Sequence, residues 1–193
     1  MTMKKLSTTL FIASLLLCFS FIAKDSRLLG TQAEGLNIGD KAPNFTIESP
    51  EGNTFSLTEY RGKLVLLDFW ASWCGPCRKD NPNIVSVYNK LHQAAFKTAD
   101  GFEVISISLD GLTDRRGNPK QENAKADWTE AIAKDGLVWK GHGSELKGWN
   151  AAIAKQYHIN SIPSNFLIDE KGIIIAKNLE GPALYATIKR LAE

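Results

Sequence analysis

Two cysteines three positions apart, Cys74 and Cys77, have the type and spacing to do chemistry together. They lie in the stretch Asp68 to Arg78, which reads Asp-Phe-Trp-Ala-Ser-Trp-Cys-Gly-Pro-Cys-Arg. Thiols this close can make and break a disulfide, with a thiolate as the attacking species. Ahead of them, Leu64, Val65, Leu66 and Leu67 form an apolar run bounded by Gly62 and Lys63, the pattern of a strand buried on both faces. Behind them, Pro76 fits the first turn of a helix, and Ile84, Val87, Tyr88 and Leu91 recur at the spacing of one buried helix face. Cys74 therefore falls where a strand ends and a helix begins. Unpaired N–H groups and the positive end of the helix dipole favour a thiolate there, which makes Cys74 the expected nucleophile. Cys77, one turn further in, is expected to be more covered and to resolve. The Cys74 thiolate attacks a foreign disulfide to give a mixed disulfide, and Cys77 then releases the reduced product and leaves the internal disulfide.

With Asp68, Trp73-Cys74-Gly75-Pro76-Cys77, the basic Arg78 and the helix-interior Pro82, the sequence resembles the thioredoxin superfamily. The resemblance implies that Asp68 is a buried acid assisting proton transfer to or from the resolving thiol; a hydrogen-bonded carboxylate without a catalytic part is the plainer alternative. Pro82 removes an intrahelical hydrogen bond and should kink the helix. Trp70 is expected to pack at the active-site end of the sheet, and Trp73 to be partly exposed beside the disulfide. A second landmark is Ser161-Ile162-Pro163-Ser164-Asn165-Phe166. By resemblance, Pro163 is cis, faces the cysteines and blocks adventitious metal binding, while the Ile162 backbone pairs with the substrate chain. Trp73, Gly75 and Pro76 join them as expected substrate-binding residues.

The front of the chain narrows the resemblance. Ile38-Gly39-Asp40-Lys41-Ala42-Pro43-Asn44-Phe45, followed by Gly52, Leu57 and Gly62-Lys63, resembles the exported branch that includes TlpA and ResA, and equally the peroxiredoxins. Pro43 to Ile47 and Thr54 to Leu57 flank a turn cluster and read as a hairpin. Before it, Lys4 and Lys5 precede the mostly apolar run Leu6 to Ala23, the pattern of a secretory signal. Residues 1 to 33 are expected to be a signal peptide cleaved after Ala33 or an N-terminal membrane anchor, and residues 34 to 193 the thioredoxin-like domain. Leu17 before Cys18 is not the small residue a lipoprotein site uses.

At 193 residues and 44% hydrophobic content, the chain can bury one sizeable core. Residues 1 to 33 carry Lys4, Lys5, Lys24 and Arg27 against Asp25, so the remainder is near neutral and nucleic-acid binding has nothing to rest on. An exported domain whose cysteines are Cys74 and Cys77 keeps its pair for chemistry.

After the first helix, Phe102 to Leu109 reads as a second core strand closed by Asp110. By resemblance to ResA-like proteins Asp110 approaches the active site; an ordinary strand-end turn residue is an equal reading. Residues 111 to 123 lack an apolar period and read as a loop, functional or mobile, whose Arg115 and Arg116 could steer an acidic partner but fit a solvated face better. A helix is expected from Asp127, capped with Glu130, to Gly136, then a surface loop over 137 to 148. Trp149, Ile153 and Tyr157, spaced by four, predict a further helix. Ser164 to Ile168 and Ile173 to Ala176 predict an antiparallel hairpin, and Leu184 to Ala192 a last helix. His92, His142 and His158 are scattered without metal-ligand spacing.

The resemblance implies an α/β thioredoxin-like fold: a central mixed sheet flanked by helices, with an N-terminal β-hairpin extension and an inserted segment. It also implies an exported, periplasmic or cell-envelope thiol–disulfide oxidoreductase. Gly75-Pro76 between the cysteines motivates a reductant, since thioredoxins lie near about −270 mV and strong oxidants near about −120 mV. Expected partners are protein disulfides, with apocytochrome c as one candidate, and a DsbD-type membrane electron donor. A monomer with no cofactor beyond the Cys74–Cys77 disulfide and no metal is expected. One rival is a peroxiredoxin-like peroxidase, whose Pro-x-x-x-Thr-x-x-Cys pattern would need Thr or Ser at position 71, where Ala stands, and proline at position 67, where Leu stands. The other is a metal-carrying module using the two thiols.

Overall fold

The computed structural model describes residues 32–192, so the leader expected over residues 1 to 33, Cys18 included, lies outside the described residues but for its last two. A two-stranded antiparallel hairpin comes first, β1 (Thr46–Glu48) and β2 (Thr54–Ser56). The main sheet holds β3 (Leu64–Trp70), β4 (Phe102–Ser108), β5 (Gly141–Ser144), β6 (Ser164–Ile168) and β7 (Ile174–Lys177). Its spatial order is β5-β4-β3-β6-β7, with β4 parallel to β3 and β5, and β6 antiparallel to β3 and β7. The helices are α1 (Gly75–Leu91), α2 (Ala124–Asp135), the short α3 (Ala152–Gln156) and α4 (Gly181–Ala192). This is the expected thioredoxin-like fold.

β3 is central, flanked by β4 and β6, and all seven of its residues are buried, as the unbroken apolar run requires. The segment before β1 covers the far edge: Gly39 and Ala42 donate to the carbonyls of Ile174 and Gly172, and Ile174 donates to that of Asp40. Edge N–H and C=O groups of β7 are thereby taken up by the chain itself.

Three expectations change. α2 starts at Ala124, not Asp127, because Asn123 caps it by accepting the Ala126 N–H at 3.1 Å; Asp127 then sits in the first turn, favourable for the dipole. Its other end matches the expectation, with Gly136 left-handed at φ 66°. The expected loop over 137 to 148 contains β5, buried throughout. Glycines hid it from a propensity reading, yet they are what the position needs: a Cβ on Gly141 would stand 2.7 Å from the Val104 carbonyl oxygen, and one on Gly143 2.5 Å from the Ile47 side chain. Trp139 is likewise buried, its indole N–H donating to Ser106 Oγ at 3.1 Å. Finally, Trp149 lies in a 3-10 turn (Gly148–Asn150) outside α3, while Ile153 and Tyr157 are core residues as predicted.

Candidate active site

β3 runs out at Trp70, and the Cys74 N–H closes a tight turn on the Ala71 carbonyl at 3.0 Å. Cys74 is the N-cap residue of α1; its Sγ accepts the Cys77 N–H at 3.2 Å, a side-chain cap made by sulfur. Pro76 stands in the first turn, where its missing N–H is not needed, and Pro82 lies inside the same helix. The two sulfurs are joined, 2.00 Å apart. Cys77 is the more covered, as expected, though by little in this oxidised form: Cys74 is 4% and Cys77 2% exposed. The Ile162 carbonyl oxygen, 3.8 Å from Cys74 Sγ, supplies part of that cover.

The Ile162–Pro163 bond is cis, immediately before β6. An open cleft of about 610 Å³ has Trp73, Cys74, Gly75 and Pro76 on one wall and Ser161 and Ile162 on the other. Pro163 meets Pro76 around an adjoining hollow of about 600 Å³ that also exposes Asp80 and Glu180. Of the expected substrate-binding set, Trp73, Gly75, Pro76 and Ile162 thus line the cleft with Cys74, and Pro163 faces Pro76 beside it.

Asp68 lies in β3 opposite Ser106 of β4 and Asn165 of β6, and is 3% exposed. Burial first, and the neighbouring Asp80 carboxylate second, push its carboxyl up to about 8. An acid in that range gives and takes a proton near neutrality. Asn165 is spoken for otherwise: its side chain exchanges two 2.8 Å hydrogen bonds with the backbone of Leu179, fastening β6 to the segment entering α4.

The rim is polar and built from distant segments. Asp110 is fully buried and accepts from the Ser72 N–H at 3.0 Å, from the Ser72 and Ser108 hydroxyls, and from Gln121 Nε2 at 2.7 Å. Of the two readings of Asp110, the strand-end turn residue and the residue approaching the active site, both describe it: it closes β4 and holds the backbone two residues before Cys74. Gln121 also accepts the Gly111 N–H, so the loop over 111 to 123 is pinned at both ends. On the other side, Arg78 makes a two-pronged contact with Asp135 (2.5 and 2.6 Å), which also accepts from Asn81, tying α1 to α2. Burial alone would raise the Asp135 carboxyl, but these hydrogen bonds outweigh it and hold it below its usual range.

Two cation–indole contacts crown the cleft. Lys120 Nζ lies 3.9 Å above the Trp73 ring, the Arg115 guanidinium 3.8 Å above that of Trp149, and the two indoles are 6.1 Å apart. Sequence reasoning missed Trp149, Lys120 and Gln121 as parts of the site. No motif marks Lys120 or Gln121, and the helical spacing of Trp149 pointed to a buried helix face, whereas a loop and a 3-10 turn bring the three there. Two of the three histidines stay outside: His142 is buried in β5 with its pKa lowered by burial, and His92 stacks on Tyr88.

The fold and the paired cysteines are those of a thioredoxin-like thiol–disulfide oxidoreductase. A family model described as AhpC/TSA family matches residues 38–177, and the chain belongs to that family. It is 33% identical over 140 residues to the thioredoxin-like protein YneN of Bacillus subtilis, covering 72% of this chain and 70% of that one. It is 32% identical over 146 residues to the thiol–disulfide oxidoreductase ResA of Bacillus thuringiensis, covering 75% and 71%. Among solved structures, the thioredoxin domain of a thiol–disulfide oxidoreductase from Bacteroides vulgatus superposes with a TM-score of 0.66 at 32% identity, covering 82% of this chain and all of that one.

Proposed function

We propose that this protein is an exported reductant of protein disulfides, with Cys74 as nucleophile, Cys77 as resolving thiol and Asp68 as the proton carrier. The observation that carries the reading is the cap at α1, where the Cys77 N–H already points at Cys74 Sγ and would stabilise a thiolate there. In the reduced protein the Cys74 thiolate attacks one sulfur of the substrate disulfide, and the other leaves as a thiolate that takes a proton from water. Cys77 then surrenders its proton to ionised Asp68 and attacks Cys74 Sγ. The second substrate sulfur departs as a thiolate, which takes up the proton held on Asp68, and the internal disulfide is left. The substrate chain lies along Ile162, walled by Trp73, Gly75 and Pro76, and Pro163 keeps the thiols from closing on a metal ion. No cofactor beyond the disulfide takes part.

Gly75-Pro76 between the cysteines supports the reducing direction, and the oxidised pair must then be recharged by a membrane donor of the DsbD type. The leader over 1 to 33 supports export, with the domain released or tethered as a monomer. Apocytochrome c is one acceptor such a protein would serve. A redox titration should return a potential well below about −150 mV, and a higher value removes the reductant assignment. Trapping with Cys77→Ala in the native host should give discrete protein adducts on Cys74 that reductant releases.

The peroxidase reading draws on the family match, since peroxiredoxins share the front of the chain. Ala71, fully buried, offers a methyl where a peroxide would need a hydroxyl. Peroxide turnover is expected to stay at the rate of a free thiol.

A further inference from the structure

Beyond the cleft at Cys74 lies a second hollow of about 530 Å³, lined by Lys155 and His158 and sharing Arg115, Trp149 and Asn160 with the first. The two meet at the Arg115–Trp149 stack. Arg115 is held there from both sides, by the indole face and by a 2.5 Å hydrogen bond from its guanidinium to the Asn160 carbonyl. That bond uses one of its five N–H donors. Arg116 stands beside it, exposed.

The charge of these hollows is one-sided. Among the described residues lining them, the carboxylate is Asp114, and it is already engaged: it accepts from the Arg116 N–H at 2.8 Å and from the Asn118 N–H and side-chain amide at 2.9 Å each. The described ion pairs all lie elsewhere, leaving Arg115, Arg116 and Lys155 without one. Since the domain as a whole is near neutral, this positive strip is local. It starts at Ile162, beside Cys74 Sγ, and leads away through Asn160 to Lys155.

We propose that the two hollows form one groove that recognises an acidic polypeptide segment adjoining the target disulfide, with Arg115 and Arg116 as the charge-reading residues. The inference rests on the disulfide-exchange reading and narrows its substrates. A chain bonded to Cys74 and running past Ile162 meets Arg115 next, and the planar guanidinium, pre-set on Trp149, matches a carboxylate with little further loss of freedom.

The test uses two synthetic peptides, each with one internal disulfide, identical save that the residues on one flank are Glu in the first and Lys in the second. The reduced full-length protein should reduce the Glu peptide about tenfold faster than the Lys peptide at low ionic strength. That ratio should collapse towards one in 0.5 M salt, where screening shortens the range of the charges. In Arg115→Glu/Arg116→Glu the order of the two peptides should invert, while Lys97→Glu/Arg190→Glu, an equal change in net charge away from the groove, should keep the wild-type ratio. Equal rates for the two peptides in the wild type overturn the inference alone, without needing any variant to fold. An equal shift in the remote variant also overturns it, by making net charge the cause. Failure to reduce either peptide overturns the exchange reading, and the inference with it.

Discussion

The floor and the rim of the active site are built by opposite means. On the floor, Asp68, Trp70, Cys74 and Cys77 come from one stretch of chain, sealed in the core and adjacent in sequence. On the rim, Arg115, Lys120 and Gln121 from the 111 to 123 loop and Trp149 from a 3-10 turn are brought to Trp73 and Asp110 from elsewhere in the chain, and meet them through hydrogen bonds and ring faces. Exchange chemistry needs two sulfurs at fixed separation and a proton carrier, which a strand running into a helix supplies locally. Choice of partner needs surface, which loops supply and can vary without disturbing the sulfurs.

The contrast breaks most sharply at the sulfur. Cys74→Ser should lower disulfide reduction by a factor on the order of 10³ or more, followed as loss of peptide disulfide, while the fold and rim stay intact. Loss of activity from rim changes alone on that scale would collapse the distinction. Next comes Asp68→Asn, expected to slow resolution of the mixed disulfide about 10²-fold in stopped-flow kinetics. It carries a second signature. The Asp68 carboxyl is raised from 3.8 to about 8 by folding, so it favours the native state below pH 4 and costs stability as pH rises through 8. Asp68→Asn should therefore be more stable to denaturant than wild type at pH 9, by on the order of a few kcal/mol, and lose that advantage at pH 4; a pH-independent gap would place the acid in water.

Asp110→Ala probes the join between the two regions. It strips the partners of Ser72, Ser108 and Gln121 in a sealed site, and should cost about 2–3 kcal/mol in denaturant unfolding while altering reduction rates less than Asp68→Asn does. The smallest effect belongs to Lys120→Ala. Removing the ammonium from the Trp73 ring should change stability by about 0.5–1 kcal/mol at most and leave the redox potential in place. A shift of the potential would mean that the rim tunes the sulfurs after all.

The same division explains what could be read in advance. The floor was legible because each of its parts has a local signal: the apolar run of β3, the helical spacing of α1 and the cysteine pair; the Ile162-Pro163 step facing it was legible from its own motif. β5 was not, because Gly141 and Gly143 were chosen for close approach to Val104 and Ile47, contacts that no periodicity records. The start of α2 moved for a subtler reason, since Asn123 and Asp127 can both cap a helix and tertiary contacts decide between them; Asp127 instead accepts from Gln121 at 3.0 Å. Trp149 carried a helical spacing to Ile153 and Tyr157, but a 3-10 turn carries it out to the rim.

The five tryptophans divide along the same line. Trp70, Trp128 and Trp139 are sealed, at 1%, 1% and 3% exposure, and their emission depends on the integrity of the core. Trp73 and Trp149 stand 6.1 Å apart at the cleft, each beneath a cation, and Trp73 directly precedes Cys74 in the chain. A disulfide quenches a neighbouring indole, and a stacked charge shifts its colour. The two sets should therefore respond separately: the brightness of the rim pair is expected to change with the oxidation state of Cys74 and Cys77, with the three sealed indoles as the steady reference.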